Sequence, residues 1–265
     1  MIERAYVWIF GESLVALSVV SLVLLGLAFE TGFRSGRLRA RRNPEREGVG
    51  IIAASMMGLL SFALGLTIGY AQQRYEARRG LVVQEANAIG TAWLRAGLVG
   101  GEQAPVIAKS IEELAKVELA FTAAKSTEPE AALIAQRGAL QDKIWMLTKA
   151  VARTDPSPIT TAMVVAINEM FDAELAERFA FDSRVPPTLS WMLLCGALLA
   201  ISALGYQLGL TGVRYPVLVS VLLVMWTGGM VLITDLNRAR LGSIRVDPAP
   251  LIWTIEGFTA PSLPH

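Results

Sequence analysis

An apolar stripe that turns cationic is the first candidate for chemistry in this sequence. It lies in a segment that carries no charge from Gly48 to Ala71, and at helical spacing it continues to two arginines just beyond that segment. Such a stripe could line an anion pathway and its mouth. The lining candidates are Met56, Leu60, Ala63 and Thr67, and the mouth candidates are Arg74 and Arg78. The alternative interpretation is a lipid-facing stripe followed by arginines that reach the membrane surface.

The opposite face of the same segment carries a row of small residues. Its members fall within about 80° of one another on a helix of 3.6 residues per turn. Small residues at this spacing let another membrane helix approach closely, so we expect the row to pack against protein. The row consists of Ala54, Gly58, Ser61, Gly65 and Gly69.

Polar residues also follow the ends of two uncharged segments. One group is Arg79, Glu85, Asn87 and Arg95, and the other is Asp235, Arg238 and Arg240. Because both segments end on the same side of the membrane, we expect the two groups to pair across helices. The alternative is a surface network of ion pairs, each contributing about 0–1 kcal/mol. Glu12 is the one acid inside a span, which makes it a functional candidate, although its position near the start of the span also lets it reach the interface.

The residue types disfavour enzymatic catalysis. The single histidine, His265, is the last residue, and Cys195 is the single cysteine. These counts exclude an internal disulfide, a thiolate metal cluster and a two-histidine metal site, and they leave no histidine for a nucleophile triad. A net charge of +1 gives no global argument for nucleic-acid binding. We therefore expect a protein that is not an enzyme and that has no metal, no cofactor and no nucleic-acid partner.

Four apolar segments must position these residues. The chain is 53% apolar and 18% charged, and four segments each have about the 20 apolar residues that a bilayer crossing needs. Helical patterns with turn signals fill the polar stretch between the second and third segments. The spacing of Ile107, Ile111 and Leu114 predicts one amphipathic helix, Thr127 followed by Glu130 fits a capping box, and Ser157 before Pro158 predicts the start of another helix. We predict an all-α integral membrane protein with four transmembrane helices and a helical extramembrane domain. The predicted parts are two spans with a basic connecting loop over 1–71, the helical domain over 72–188, two further spans over 189–236 and a C-terminal tail over 237–265.

Two stretches resemble the bestrophin-like domain family, which consists mainly of bacterial membrane proteins distantly similar to bestrophins. The family pattern R-Y-x-A-R-R, followed by E-A-N-A-I-G-T-A and a leucine–arginine pair, is matched within Leu64–Ala96. The stretch DLNRARLGSIRV, from Asp235 to Val246, is similar to the family's D-L-D-R-P-R-x-G-x-I-x-V. Asn237 stands in place of an acid there, and Ala239 in place of a proline.

The resemblance implies a function and an assembly. Bestrophins are pentameric anion channels whose second span lines the pore and continues into a cytosolic helical domain. The implied protein is a homo-pentamer in the inner (plasma) membrane that conducts inorganic anions. The density of arginines in loop one favours placing that loop inside, whereas the resemblance favours a cytoplasmic helical domain. The rival hypothesis is a non-conducting, membrane-anchored interaction or sensor module that uses the helical domain.

Overall fold

The computed structural model describes residues 13–42, 48–124, 130–238 and 242–259. Every regular element in these ranges is an α-helix, which confirms the predicted all-α class. The chain divides into two compact units. The first unit comprises Met1–Gln73 and Arg184–Asn237, and the second comprises Arg74–Ser183 and Arg238–His265.

Four stretches of the described chain are long and apolar enough to cross a membrane, as the sequence predicts. They are Leu14–Arg41, Val49–Leu98, Pro158–Thr211 and Pro216–Asn237. The helices of the first unit are α1 (Leu14–Arg42), the N-terminal part of α2 (Val49–Leu98), α6 (Pro187–Thr211) and α7 (Pro216–Asn237). Within this unit α1 packs on α6 and also contacts α7.

The helix α1 is longer than predicted. We expected the basic loop to begin near Gly32, but the helix continues without a break to Arg42. Its extra turns pack on α6, because glycines on each helix lie against backbone atoms of the other helix. A side chain at Gly32 would overlap the carbonyl oxygen of Ser202, and one at Gly205 would overlap that of Phe29. Only glycine allows two helix backbones to approach this closely.

The same contact repeats one turn further along both helices. A Cβ atom at Gly36 would overlap the carbonyl oxygen of Tyr206, and one at Gly209 would overlap that of Phe33. We call Gly32, Gly36, Gly205 and Gly209 the four-glycine contact. Each pair is spaced i, i+4, so each helix presents its glycines on a single face. The sequence analysis did not single out this contact, although G-x-x-x-G occurs in both segments.

The second unit is a helical assembly around an apolar core. Its elements are the C-terminal part of α2, α3 (Ala104–Ala123), α4 (Glu130–Thr154), α5 (Pro158–Asp182) and α8 (Ala249–Thr259). Ile107, Ile111 and Leu114 of α3 are buried on the apolar face that their spacing predicts. Ser157 caps α5 as expected: its Oγ accepts a hydrogen bond from the Thr160 N–H at 3.1 Å. The capping box predicted at Thr127 lies outside the described residues.

The predicted C-terminal tail contains a helix. Leu251 of α8 is fully buried in the core of the second unit. The Thr254 hydroxyl donates a hydrogen bond to the carbonyl of Ala86 at 3.3 Å, and the Phe258 ring lies 4.9 Å from that of Trp93. The helix Ala249–Thr259 is therefore part of a folded unit, although the sequence analysis placed it in a C-terminal tail.

Candidate functional site

The predicted lining stripe on α2 faces the chain itself. Leu60 and Thr67 are only 6% and 7% exposed, while Met56 and Ala63 are half-buried. Leu60 lies beside Gly196 of α6, where an added Cβ atom would come within 3.1 Å of the leucine Cδ1 atom. A side chain buried within its own protomer cannot line a pathway between protomers. The lining assignment must therefore be corrected for Leu60 and Thr67.

The small-residue row occupies the uncovered face of α2. All five of its members, Ala54, Gly58, Ser61, Gly65 and Gly69, are exposed in the protomer. No other atom lies within 4 Å of the position that a Cβ atom would take at Gly58, Gly65 or Gly69. Within the described part of the chain, all five members are exposed and no neighbour covers Gly58, Gly65 or Gly69, so packing of this row against protein remains a prediction.

Arg78, which we assigned to a pore mouth, is instead a buried helix cap. Its side chain is 1% exposed, and its Nε and Nη2 atoms donate to the carbonyls of Ala180 at 3.0 Å and Ser183 at 2.7 Å. These carbonyls belong to the C-terminal end of α5, where backbone acceptors lack helical partners and a cation is favoured. The pore-mouth assignment of Arg78 must therefore be corrected, while Arg74 is half-buried.

The other predicted polar residues have separate surroundings. Arg79 is exposed and lies 3.7 Å from the carboxylate of Glu76, and Asn87 is exposed. Arg95 is half-buried and donates to the carbonyl of Ala162 at 3.1 Å.

In the first unit Asp235 is buried, and the side chain of Asn237 accepts a hydrogen bond from the Val185 N–H at 2.7 Å. Arg238, in the second unit, is half-buried. Glu12 and Arg240 lie outside the described residues.

Glu85 belongs to a buried group of carboxylates that the sequence analysis did not predict. Arg137 of α4 donates one hydrogen bond to Glu118 of α3 and another, at 2.6 Å, to Glu174 of α5. Glu177 is also fully buried, and both it and Glu85 act electrostatically within this group. We call Glu85, Glu118, Glu174 and Glu177, with Arg137 among them, the carboxylate cluster. We expected Glu85 to pair with arginines at the ends of the second and fourth spans. The structure instead places it in the interior of the second unit, where most of the charged groups that act on it are carboxylates.

Burial determines the electrostatics of the cluster. Desolvation, reinforced by the charges of Glu118 and Glu177, holds the pKa of Glu85 well above its ordinary value of 4.5. Burial likewise raises the pKa of Glu118 to about 7, against the lowering influence of Arg137. Burial acts to lower the pKa of Arg137, but the neighbouring carboxylates outweigh it and raise the pKa above its ordinary value, so the guanidinium stays charged. The cluster therefore contains one carboxyl group, that of Glu118, with a pKa of about 7, and a second, that of Glu85, whose pKa is raised well above its ordinary value.

A signal for the cluster is present in the sequence. Glu118 continues the spacing of Ile107, Ile111 and Leu114, and Glu174 and Glu177 continue that of Met170 on α5. A charged residue at a position where periodicity demands an apolar one indicates a buried ionisable group. The same periodicities that define these helices therefore also mark the polar residues that share their apolar faces.

Neither a metal site nor a known relative defines the function. Among the described residues, no group of three or more histidine, cysteine, aspartate or glutamate side chains is arranged to hold a metal ion. Comparisons with protein-family models, with curated proteins and with solved structures find no match to this chain. The uncovered face of α2 and the carboxylate cluster are therefore the two features on which a functional hypothesis can be built.

Proposed function

We propose that the chain is a subunit of an oligomeric membrane channel that conducts ions, with inorganic anions favoured. The observation that carries this proposal is the uncovered row of small residues on α2, a helix long and apolar enough to cross a bilayer. An exposed row of glycines has no advantage against lipid, since its value is close approach to another helix or space for a passing ion. A ring of α2 helices would use this face at its centre.

The resemblance to the bestrophin-like family supplies the details of this proposal. It favours a pentamer in the inner membrane, a cytoplasmic second unit and a preference for anions. Arg79 is an exposed cation of the second unit that suits this role. Repeated around a ring, Arg79 would raise the local concentration of anions.

Cysteine accessibility tests which face of α2 meets water. In a Cys195→Ala background reconstituted in liposomes, we expect cysteines at positions 58, 61 and 65 to react with a water-soluble thiol reagent. Cysteines at positions 56, 60 and 67 are matched controls on the covered face and should stay unlabelled, because Leu60 and Thr67 are buried. Labelling of 60 and 67 but not of 58, 61 and 65 would contradict the proposed lining.

Conduction is tested separately in planar bilayers. A preparation shown by native mass spectrometry to be an intact oligomer should pass chloride in preference to sodium. The Arg79→Glu substitution should reduce that preference, whereas Arg153→Glu, at an exposed position on α4, should not. If an intact oligomer passes no current in the bilayer, the proposal that the protein is a channel is rejected.

A second candidate function is a membrane-anchored sensor module that does not conduct. The carboxylate cluster favours it, since buried groups with strongly shifted pKa values are typical of functional sites. A silent but assembled protein whose second unit responds to solution conditions would favour this candidate over the channel.

A further inference from the structure

We propose that the carboxylate cluster is a proton-binding site, in which Glu85 carries a proton in the folded second unit and releases it as the pH rises. The proposal is independent of conduction, because it concerns only residues within the second unit.

The hydrogen bonds of the cluster leave Glu85 without a donor. Arg137 directs its two Nη atoms at Glu118 and Glu174, and the Gln141 amide also donates to Glu174, at 3.3 Å. Glu85 is only 1% exposed, and neither of its buried oxygens accepts a hydrogen bond from the described residues. An ionised carboxylate in such a place has lost its hydration and gained nothing in return, which is very costly.

The charge balance favours the same assignment. The groups that face Glu85 are Glu118 from α3, Arg137 from α4, and Glu174 and Glu177 from α5. Among these described groups that act on Glu85, three carboxylates stand against one guanidinium, and Arg178 adds a weaker attraction at Glu118. Like charges at close range cannot all remain ionised, so carboxyl groups in clusters retain a proton. Glu85 is the member best placed to do so, because the guanidinium is already bonded to two others.

A bound proton couples the pH to the folding of this unit. Burial raises the pKa of Glu85 above the value near 4.5 that the unfolded chain has, so the folded state binds more protons than the unfolded state at neutral pH. The stabilisation is complete below pH 4.5 and declines as the pH rises through the folded-state pKa. Glu118, whose folded pKa is about 7, contributes in the same direction. The second unit should therefore weaken from acid to alkaline pH.

The test uses the full-length chain in detergent and two readouts. In infrared difference spectra between acid and alkaline pH, across the range in which the protein stays folded, the wild type should show a protonated carboxyl C=O band that weakens as the pH rises. The melting temperature, followed by tryptophan fluorescence, should fall by roughly 5 °C over the same range. Glu85→Gln keeps a neutral side chain at every pH, so it should remove the part of the infrared band that Glu85 contributes and weaken the pH dependence, while the part that comes from Glu118 remains.

Glu76→Gln is the matched control, since Glu76 lies on the same helix but is exposed. It should leave the band and the pH dependence unchanged. The absence of a protonated carboxyl band in the wild type would overturn the proposal, and this outcome does not require any variant to fold. A band of full intensity in Glu85→Gln would place the proton elsewhere and reject Glu85 as its carrier.

Discussion

Replacing Arg137 with methionine should lower the free energy of unfolding of the second unit by about 3–5 kcal/mol, since it leaves buried carboxylates without their counter-charge. Arg137 is the residue that bridges Glu118 and Glu174, and its guanidinium also lies 4.3 Å from the centre of the Phe121 ring. Methionine fills much of the same volume without the charge. Chemical or thermal unfolding of the purified chain near neutral pH measures the loss. The loss should shrink toward pH 5, because protonated glutamates no longer need a cation.

Lys143→Met provides the matched control on the same helix. Lys143 also pairs with a glutamate of α3, Glu113, but the pair is 3.8 Å long and close to half of each side chain is exposed. Such an exposed pair contributes about 0–1 kcal/mol. If the two methionine variants lose similar amounts of stability, the interpretation of Arg137 as the centre of the cluster is wrong.

Placing alanine at Gly205 should destabilise the first unit by about 3 kcal/mol, because the added methyl group has no space. The new Cβ atom would overlap the carbonyl oxygen of Phe29 on α1, and backbone atoms cannot rotate away as a side chain can. The helices α1 and α6 would have to separate along the whole four-glycine contact. The stability of the detergent-solubilised protein, measured by titration with a denaturing detergent, would report this change.

Gly26→Ala is the control for helix propensity. Gly26 also lies on α1, but no atom lies within 4 Å of its added Cβ position. Alanine there should be neutral or stabilise the helix by up to about 1 kcal/mol. Only the Gly205 substitution should therefore lower the stability, and a loss at Gly26 as large as that at Gly205 would show that close packing is not the cause.

Much of the helical architecture follows from periodicity and punctuation in the sequence. The apolar spacing of Ile107, Ile111 and Leu114 predicts both the helix α3 and its buried face. Ser157 followed by Pro158 predicts the start of α5, because a hydroxyl cap and a proline in the first turn each satisfy the needs of a helix N-terminus. These signals are local, so one sequence is sufficient to read them.

The contacts of α2 could not be predicted in this way. Both faces of the uncharged part of α2 are compatible with lipid. The periodicity of the sequence distinguishes the two faces, but it does not show which of them packs against other helices of the chain. Leu60 is buried because of Gly196, and Arg78 because of carbonyls more than 100 residues further along the chain. Partners at such separations follow from the tertiary fold. The extension of α1 was missed for another reason: its arginines suggested a loop, whereas Gly32 and Gly36 indicated a contact between helices.

Because α2 is a single unbroken helix, the number of its residues fixes both the distance and the rotation between any two positions on it. The helix runs for 50 residues from Val49 to Leu98, which corresponds to about 75 Å. One inserted residue would turn everything beyond it by about 100° and move it by about 1.5 Å. Seven inserted residues would nearly restore the angle, to within about 20°, but would displace the end by about 10 Å. Within the uncovered row, a change of residue type would therefore keep the angle and the spacing of the other members, whereas an insertion would change at least one of the two.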